Sequence, residues 1–172
     1  MLIRAIFLSW ALVLLPVHGA NAADPFFEGL AGIWQGKGFV RMSASAQEES
    51  IRCRISTFAN PNGKELTVGG TCAVGSFVLP VDGSIIAKGG SSYSSTMFRT
   101  LAQLTTSSFS GQRKGSRLYL RFKGRDNTTK QVISSTLTIR KHSKGRFDIA
   151  IQSTDPQTGG QFSVGVIDFR GG

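Results

Sequence analysis

Ser50-Ile51-Arg52-Cys53-Arg54-Ile55-Ser56-Thr57-Phe58 and Glu65-Leu66-Thr67-Val68-Gly69-Gly70-Thr71-Cys72-Ala73-Val74, with Asn62-Gly63 between them, decide the fold. In the first run Ile51, Cys53 and Ile55 alternate with Arg52, Arg54 and Ser56, the period of two that belongs to a half-buried strand. In the second, Leu66, Val68, Cys72 and Val74 keep one phase. Asn-Gly is the preferred centre of a two-residue type I′ hairpin turn, because both central residues need positive φ. A turn centred there sets Ile51 opposite Val74 and Cys53 opposite Cys72. Opposed Cβ atoms lie about 4.5–5.5 Å apart, close enough for a disulfide after modest adjustment. Turn chemistry and cysteine placement therefore reach the same register independently.

Working outward, strand patterns recur at Ile33 to Met42, Ser76 to Val81, Ser84 to Lys88, Arg117 to Lys123, Gln131 to Arg140, Arg146 to Gln152 and Gln161 to Phe169. Val81-Asp82-Gly83-Ser84, Lys114-Gly115, Lys123-Gly124, Lys144-Gly145 and Thr158-Gly159-Gly160 read as the turns that punctuate them. Residues 91–110 are rich in Ser and Thr and suit a strand, a loop or one short helix with Met97, Leu101 and Leu104 on a face. Upstream, Asp24-Pro25 reads as the cap of a helical turn through Phe26, Phe27, Glu28 and Leu30. Gly36 and Gly38 mark a first strand that bends or lets another backbone approach closely. No amphipathic helix long enough for a crossover separates the strands. The expected fold is all-β, a single antiparallel up-and-down β-barrel of about 8–10 short strands with a short N-terminal helical turn.

The 172-residue chain begins with a basic stretch, Met1 to Arg4, then an apolar run from Ala5 to Pro16, then Ala20-Asn21-Ala22 before Ala23. That order is a secretory signal peptide over residues 1–22. Its apolar run is about a dozen residues, short of the roughly 20 that span a bilayer. The expectation is one periplasmic or secreted domain, residues 23–172, with no transmembrane span. In an oxidising compartment Cys53 and Cys72 pair as a disulfide.

The chain carries 20 Lys and Arg against 10 Asp and Glu, and the excess is uneven. Between Gly83 and Phe147 stand Lys88, Arg99, Arg113, Lys114, Arg117, Arg121, Lys123, Arg125, Lys130, Arg140, Lys141, Lys144 and Arg146, with Asp126 as the one acid. A field of one sign favours anionic partners, and export makes envelope polymers, acidic lipid head groups or an acidic protein partner better candidates than nucleic acid. Arg117, Tyr119, Arg121 and Lys123 alternate with Leu118, Leu120 and Phe122, so one strand presents cations and an aromatic ring outward, a combination that grips anions. The expected anion-binding face adds Arg125, Arg140, Lys141, Lys144 and Arg146.

Catalysis has little to work with. His142 is the one histidine left after the signal, read as a solvated turn residue among cations, and proton transfer near neutrality most often uses His. Zinc ligation lacks a set of three or four ligands, and a disulfide has no thiolate. Glu48 and Glu49 point to opposite faces of an extended chain, while Asp148 and Asp168 approach only if their strands pair. No phosphate loop opens a helix. The sequence therefore implies no enzyme, no metal and no cofactor.

Gly29-Leu30-Ala31-Gly32-Ile33-Trp34-Gln35-Gly36 resembles the calycin superfamily, in which a helical turn enters the first barrel strand through Gly-x-Trp. Lipocalins, avidins and small bacterial metalloprotease inhibitors share this start. The layout of Gly-x-Trp-x-Gly-x-Gly, Arg52-Cys53-Arg54 and a second Cys is also similar to exported alphaproteobacterial proteins of unknown function. The resemblance implies that Trp34 closes the barrel base against a late arginine, for which Arg170 is the match. The second lipocalin signature, an Asp-centred loop before a Tyr, has no counterpart. The expected function is a non-enzymatic binding or envelope-associated barrel. The alternatives are a protease inhibitor acting through Ala23 to Phe27, and an envelope hydrolase.

Overall fold

Asp24 accepts a 2.9 Å hydrogen bond from the Phe26 amide and caps α1 (Pro25–Glu28), with Pro25 at the first helical position, as the sequence predicts. The computed structural model describes residues 24–97, 104–126 and 130–171. The expected signal peptide lies outside them. Ten strands follow α1: β1 (Gly32–Val40), β2 (Glu49–Ala59), β3 (Glu65–Val74), β4 (Phe77–Gly89), β5 (Ser92–Ser95), β6 (Leu104–Lys114), β7 (Arg117–Asp126), β8 (Val132–Ser143), β9 (Arg146–Thr154) and β10 (Gln161–Gly171). Each pairs antiparallel with the next, and β10 returns to β1 to close an up-and-down barrel. The ring closes through the short β5, which pairs with Ile85 to Gly89 of β4 and with Gly111 and Gln112 of β6.

The β2–β3 register is the one read from the sequence, with Ile51 opposite Val74 and Cys53 opposite Cys72, and the two cysteines are bonded. The turn differs. The Asn60 amide donates to the Glu65 carbonyl, leaving a four-residue loop in which Gly63 takes φ 64° and Asn62 does not adopt positive φ. Asn60 Oδ1 accepts from Lys64 and Glu65, so a side chain satisfies amides that a two-residue turn would have paired.

Two expected turns are absent. Val81 to Ser84 lies inside the continuous β4, where Gly83 serves close approach: a Cβ there would sit 2.7 Å from Met97 Cα. Gly124 likewise continues β7, opposite Ile133. The first strand ends at Val40, two residues short of the sequence reading, and Met42 is exposed. Its glycines do admit a neighbour, since a Cβ at Gly38 would meet the Val166 carbonyl oxygen at 1.9 Å. Within residues 91–110 the described chain forms β5 and the start of β6, and Leu104, one corner of the suggested helical face, opens β6.

The interior is filled from one end. Phe26, Phe27 and Leu30 cover the base, which shares its end with the β2–β3 loop, because the Asp24 amide donates to Gly63. Above them Ile55, Leu66, Ile85, Leu118, Leu120, Leu137 and Ile139 are buried from facing walls. Each such side chain stabilises the fold by roughly 1.5–3 kcal/mol. Toward the opposite end the packing stops: Phe77 and Leu79 share the inward phase of Val74 and Cys72 yet are 71% and 43% exposed.

Candidate anion-binding faces

Leu118, Leu120 and Phe122 are buried in the barrel, so the intervening Arg117, Tyr119, Arg121, Lys123 and Arg125 stand in one outward column on β7, as expected. Uncharged groups flank its middle: Gln112 and Ser110 oppose Tyr119 and Arg121 on β6, while Thr138, Thr136 and Ser134 oppose Tyr119, Arg121 and Lys123 on β8; Arg117, at its end, is opposed by Lys114 and Arg140. Arg121, Lys123, Ser134, Thr136, Thr154 and Gln161 line an open cleft of about 130 Å³. Arg125 donates to the Lys130 carbonyl at 3.1 Å. Among the described residues Arg117 and Arg121 have no carboxylate partner.

The other expected cations divide differently. Asp148 and Asp168 face each other across β9 and β10, and the basic side chains of this wall close on them. Arg140 reaches Asp148 at 2.8–2.9 Å, and His142 Nε2 contacts the same carboxylate oxygen, so His142 is no free turn residue. Arg146 holds Asp168 through two hydrogen bonds of 3.0 and 3.3 Å, with Arg170 3.6 Å away. The Arg146 hydrogen bonds hold the Asp168 carboxyl below its usual range, against a smaller opposing effect of burial. Asp148 is buried.

Lys141 leaves the expected face altogether. It pairs with inward-facing Phe147, and its ammonium lies 5.9 Å from the Phe26 ring centroid and 3.4 Å from the Pro25 carbonyl, across the base. Lys144 occupies the β8–β9 turn.

The base also corrects the Trp34–Arg170 pairing. Trp34 Nε1 donates to the Leu30 carbonyl at 2.9 Å and lies 3.0 Å from Thr57 Oγ1, while its ring packs edge-on against Phe147 at 4.7 Å. Arg170 sits one residue after buried Phe169, hence outward, and its side chain is 72% exposed. The strand's period of two excludes it from the Trp34 site. A second polar link fastens α1 from inside: Tyr93 Oη donates to Asp24 and accepts from Arg113 Nε at 3.0 Å. Burial, reinforced by Asp24, pushes the Tyr93 hydroxyl up to about 12.

One basic cluster escaped the sequence reading. Lys37, Arg52 and Arg54 emerge on the outside of β1 and β2 and, with Gln35, Thr71, Ala73 and Val78, line an open groove of about 370 Å³. Alternation along β2 alone places Arg52 and Arg54 only on the face opposite Ile51, Cys53 and Ile55. The signal that would have found them is the outward phase of Lys37 on the neighbouring strand. Among the described residues no group of three His, Cys, Asp or Glu side chains is placed to hold a metal.

The architecture is that of a calycin-like barrel. The S-type phycobiliprotein lyase CPES from Guillardia theta superposes with a TM-score of 0.62 at 8% identity, over 86% of this chain and 90% of that one. Rv2717c from M. tuberculosis superposes with a TM-score of 0.60 at 10% identity, over 88% of this chain and 99% of that one. Identities this low carry the fold alone. No family model and no curated protein sequence matches the chain.

Proposed function

We propose that this protein is an exported, non-enzymatic binding barrel of the cell envelope that holds anionic envelope components through the outward column of β7. The observation that carries this reading is Arg117 and Arg121 on one outward column, Arg117 opposed by Lys114 and Arg140, Arg121 by the hydroxyls of Ser110 and Thr136, and neither ion-paired to an acid among the described residues. Guanidinium groups bind phosphate and carboxylate with two parallel hydrogen bonds, and flanking Ser and Thr can complete the shell. Supporting export are the segments before Ala23 and the Cys53–Cys72 bond, which suits an oxidising compartment. Phe26 and Phe27 are buried under the base, so this segment lends no support to a protease-inhibitor reading.

The test is retention on purified lipopolysaccharide, or on vesicles of phosphatidylglycerol and phosphatidylcholine, as salt is raised. Exposed charge attraction is screened over about 8 Å at physiological ionic strength, so retention of the wild type falls steeply with salt. The Arg117→Ser, Arg121→Ser, Lys123→Ser protein behaves at low salt as the wild type does at high salt. Equal retention of both proteins, or retention indifferent to salt, overturns the proposal.

A further inference from the structure

We infer that the outer groove on β1 to β4 is a second, separate site that takes one anionic amphiphile, its acidic head on Lys37, Arg52 and Arg54 and its hydrocarbon on Ala73 and Val78. The cations centre on β2, five strands from β7 in either direction around the barrel, and the edges of the groove on β1 and β4 are four and three strands away, so it does not extend the first face.

Its charge arrangement is unfavourable when empty. Lys37 and Arg52 are directly opposed in register, and Arg54 follows on the same face of β2. Like charges so placed repel, and an anion between them removes the repulsion. Among the described residues no acid is ion-paired with Lys37, Arg52 or Arg54. Asp168 is opposite Lys37 on the β10 side, but Arg146 and Arg170 occupy its carboxylate, and Glu48 is paired with Arg41. Among the described residues, the Gln35 amide and the Thr71 hydroxyl line the groove without a protein partner and supply uncharged donors.

The other half of the groove is apolar. Arg52 opposes Ala73 across the β2–β3 ladder, and Ala73 opposes Val78 across β3–β4, so cations and hydrocarbon share one row. Val78, on this outward row, is 67% exposed, although a bare anion would not need it. Apolar surface beside a charged cluster fits a ligand that brings both chemistries. The groove volume of about 370 Å³ falls within the roughly 300–1,000 Å³ of small-molecule sites.

The probe is dihexanoylphosphatidic acid, kept monomeric and followed by amide chemical shifts in the full folded protein, with inorganic phosphate and dihexanoylphosphatidylcholine as separate arms. The acidic lipid moves Lys37, Arg52, Arg54, Ala73 and Val78 and binds at least about tenfold more tightly than either control. Arg52→Ser with Arg54→Ser weakens it by about tenfold or more. Val78→Ser weakens the lipid and leaves phosphate unchanged. Arg117→Ser with Arg121→Ser leaves this site unaffected, so its failure and that of the β7 face are separable. Phosphate or the choline lipid binding as tightly, shifts confined elsewhere, or unaltered binding by both groove variants overturns the inference; Val78→Ser and Lys37→Ser decide the matter if the double variant fails to fold.

Discussion

The wall of β7 and the wall of β8 to β10 are equally basic in sequence and opposite in what their charge is doing. On β8 to β10, Arg140, Arg146 and Arg170 converge on two carboxylates that the sheet sets face to face, Asp148 and Asp168. On β7, Arg121 meets Ser110 and Thr136 across the ladder, and Arg117 meets Lys114 and Arg140. The first wall uses cations to keep two adjacent acids folded. The second, among the described residues, sets no acid against Arg117 or Arg121, which is what the proposed binding face requires. A count of basic residues therefore overstates the binding face, because cross-strand register decides which cations are neutralised within the protein.

The largest expected effect strikes both walls together. Trp34→Ala removes the aromatic that joins Leu30, Thr57 and Phe147 at the base and costs about 3–5 kcal/mol, measured by chemical denaturation. A loss below about 1 kcal/mol contradicts a base that holds the barrel. Next comes Arg140→Met, which leaves the buried Asp148 carboxylate with His142 alone and costs about 1–3 kcal/mol, whereas a neutral outcome would mean that wall is not internally neutralised.

Acid separates the walls a third way. The folded pKa of Asp168 lies below its ordinary value of 3.8, so its contribution is fully present above that value and is lost as pH falls through the folded pKa. Arg146→Ser therefore narrows the stability gap between neutral and strongly acidic solution, and an unchanged acid limb refutes the role given to Arg146. The smallest effect belongs to β7: Arg117→Ser with Arg121→Ser shifts stability by less than about 0.5 kcal/mol per substitution. A larger loss would show that these cations have a structural task.

The sequence made legible whatever rests on alternation and local turn chemistry. The inward set Ile51, Cys53, Ile55, Leu118, Leu120 and Phe122, the Asp24 cap and the disulfide register all follow from a period of two or from contacts a few residues apart. Gly83 and Gly124 misled because a glycine placed for backbone packing has the same spelling as one placed for a reversal. Arg170 misled because one residue of phase moves a strand side chain from core to solvent. The partners of Asp148 and Asp168, the inward turn of Lys141 and the Lys37–Arg52–Arg54 groove depend on which strands meet across the barrel, which alternation along a single strand does not encode.

The most direct measurement removes the same charge from each wall. Arg117→Ser with Arg121→Ser is compared with Arg146→Ser with Arg170→Ser, both folded by circular dichroism, for salt-dependent retention on purified lipopolysaccharide. The β7 pair loses most of its low-salt retention, while the β9–β10 pair, whose cations already serve Asp168, stays close to wild type. Equal losses would reduce the effect to net charge and contradict a binding face on β7.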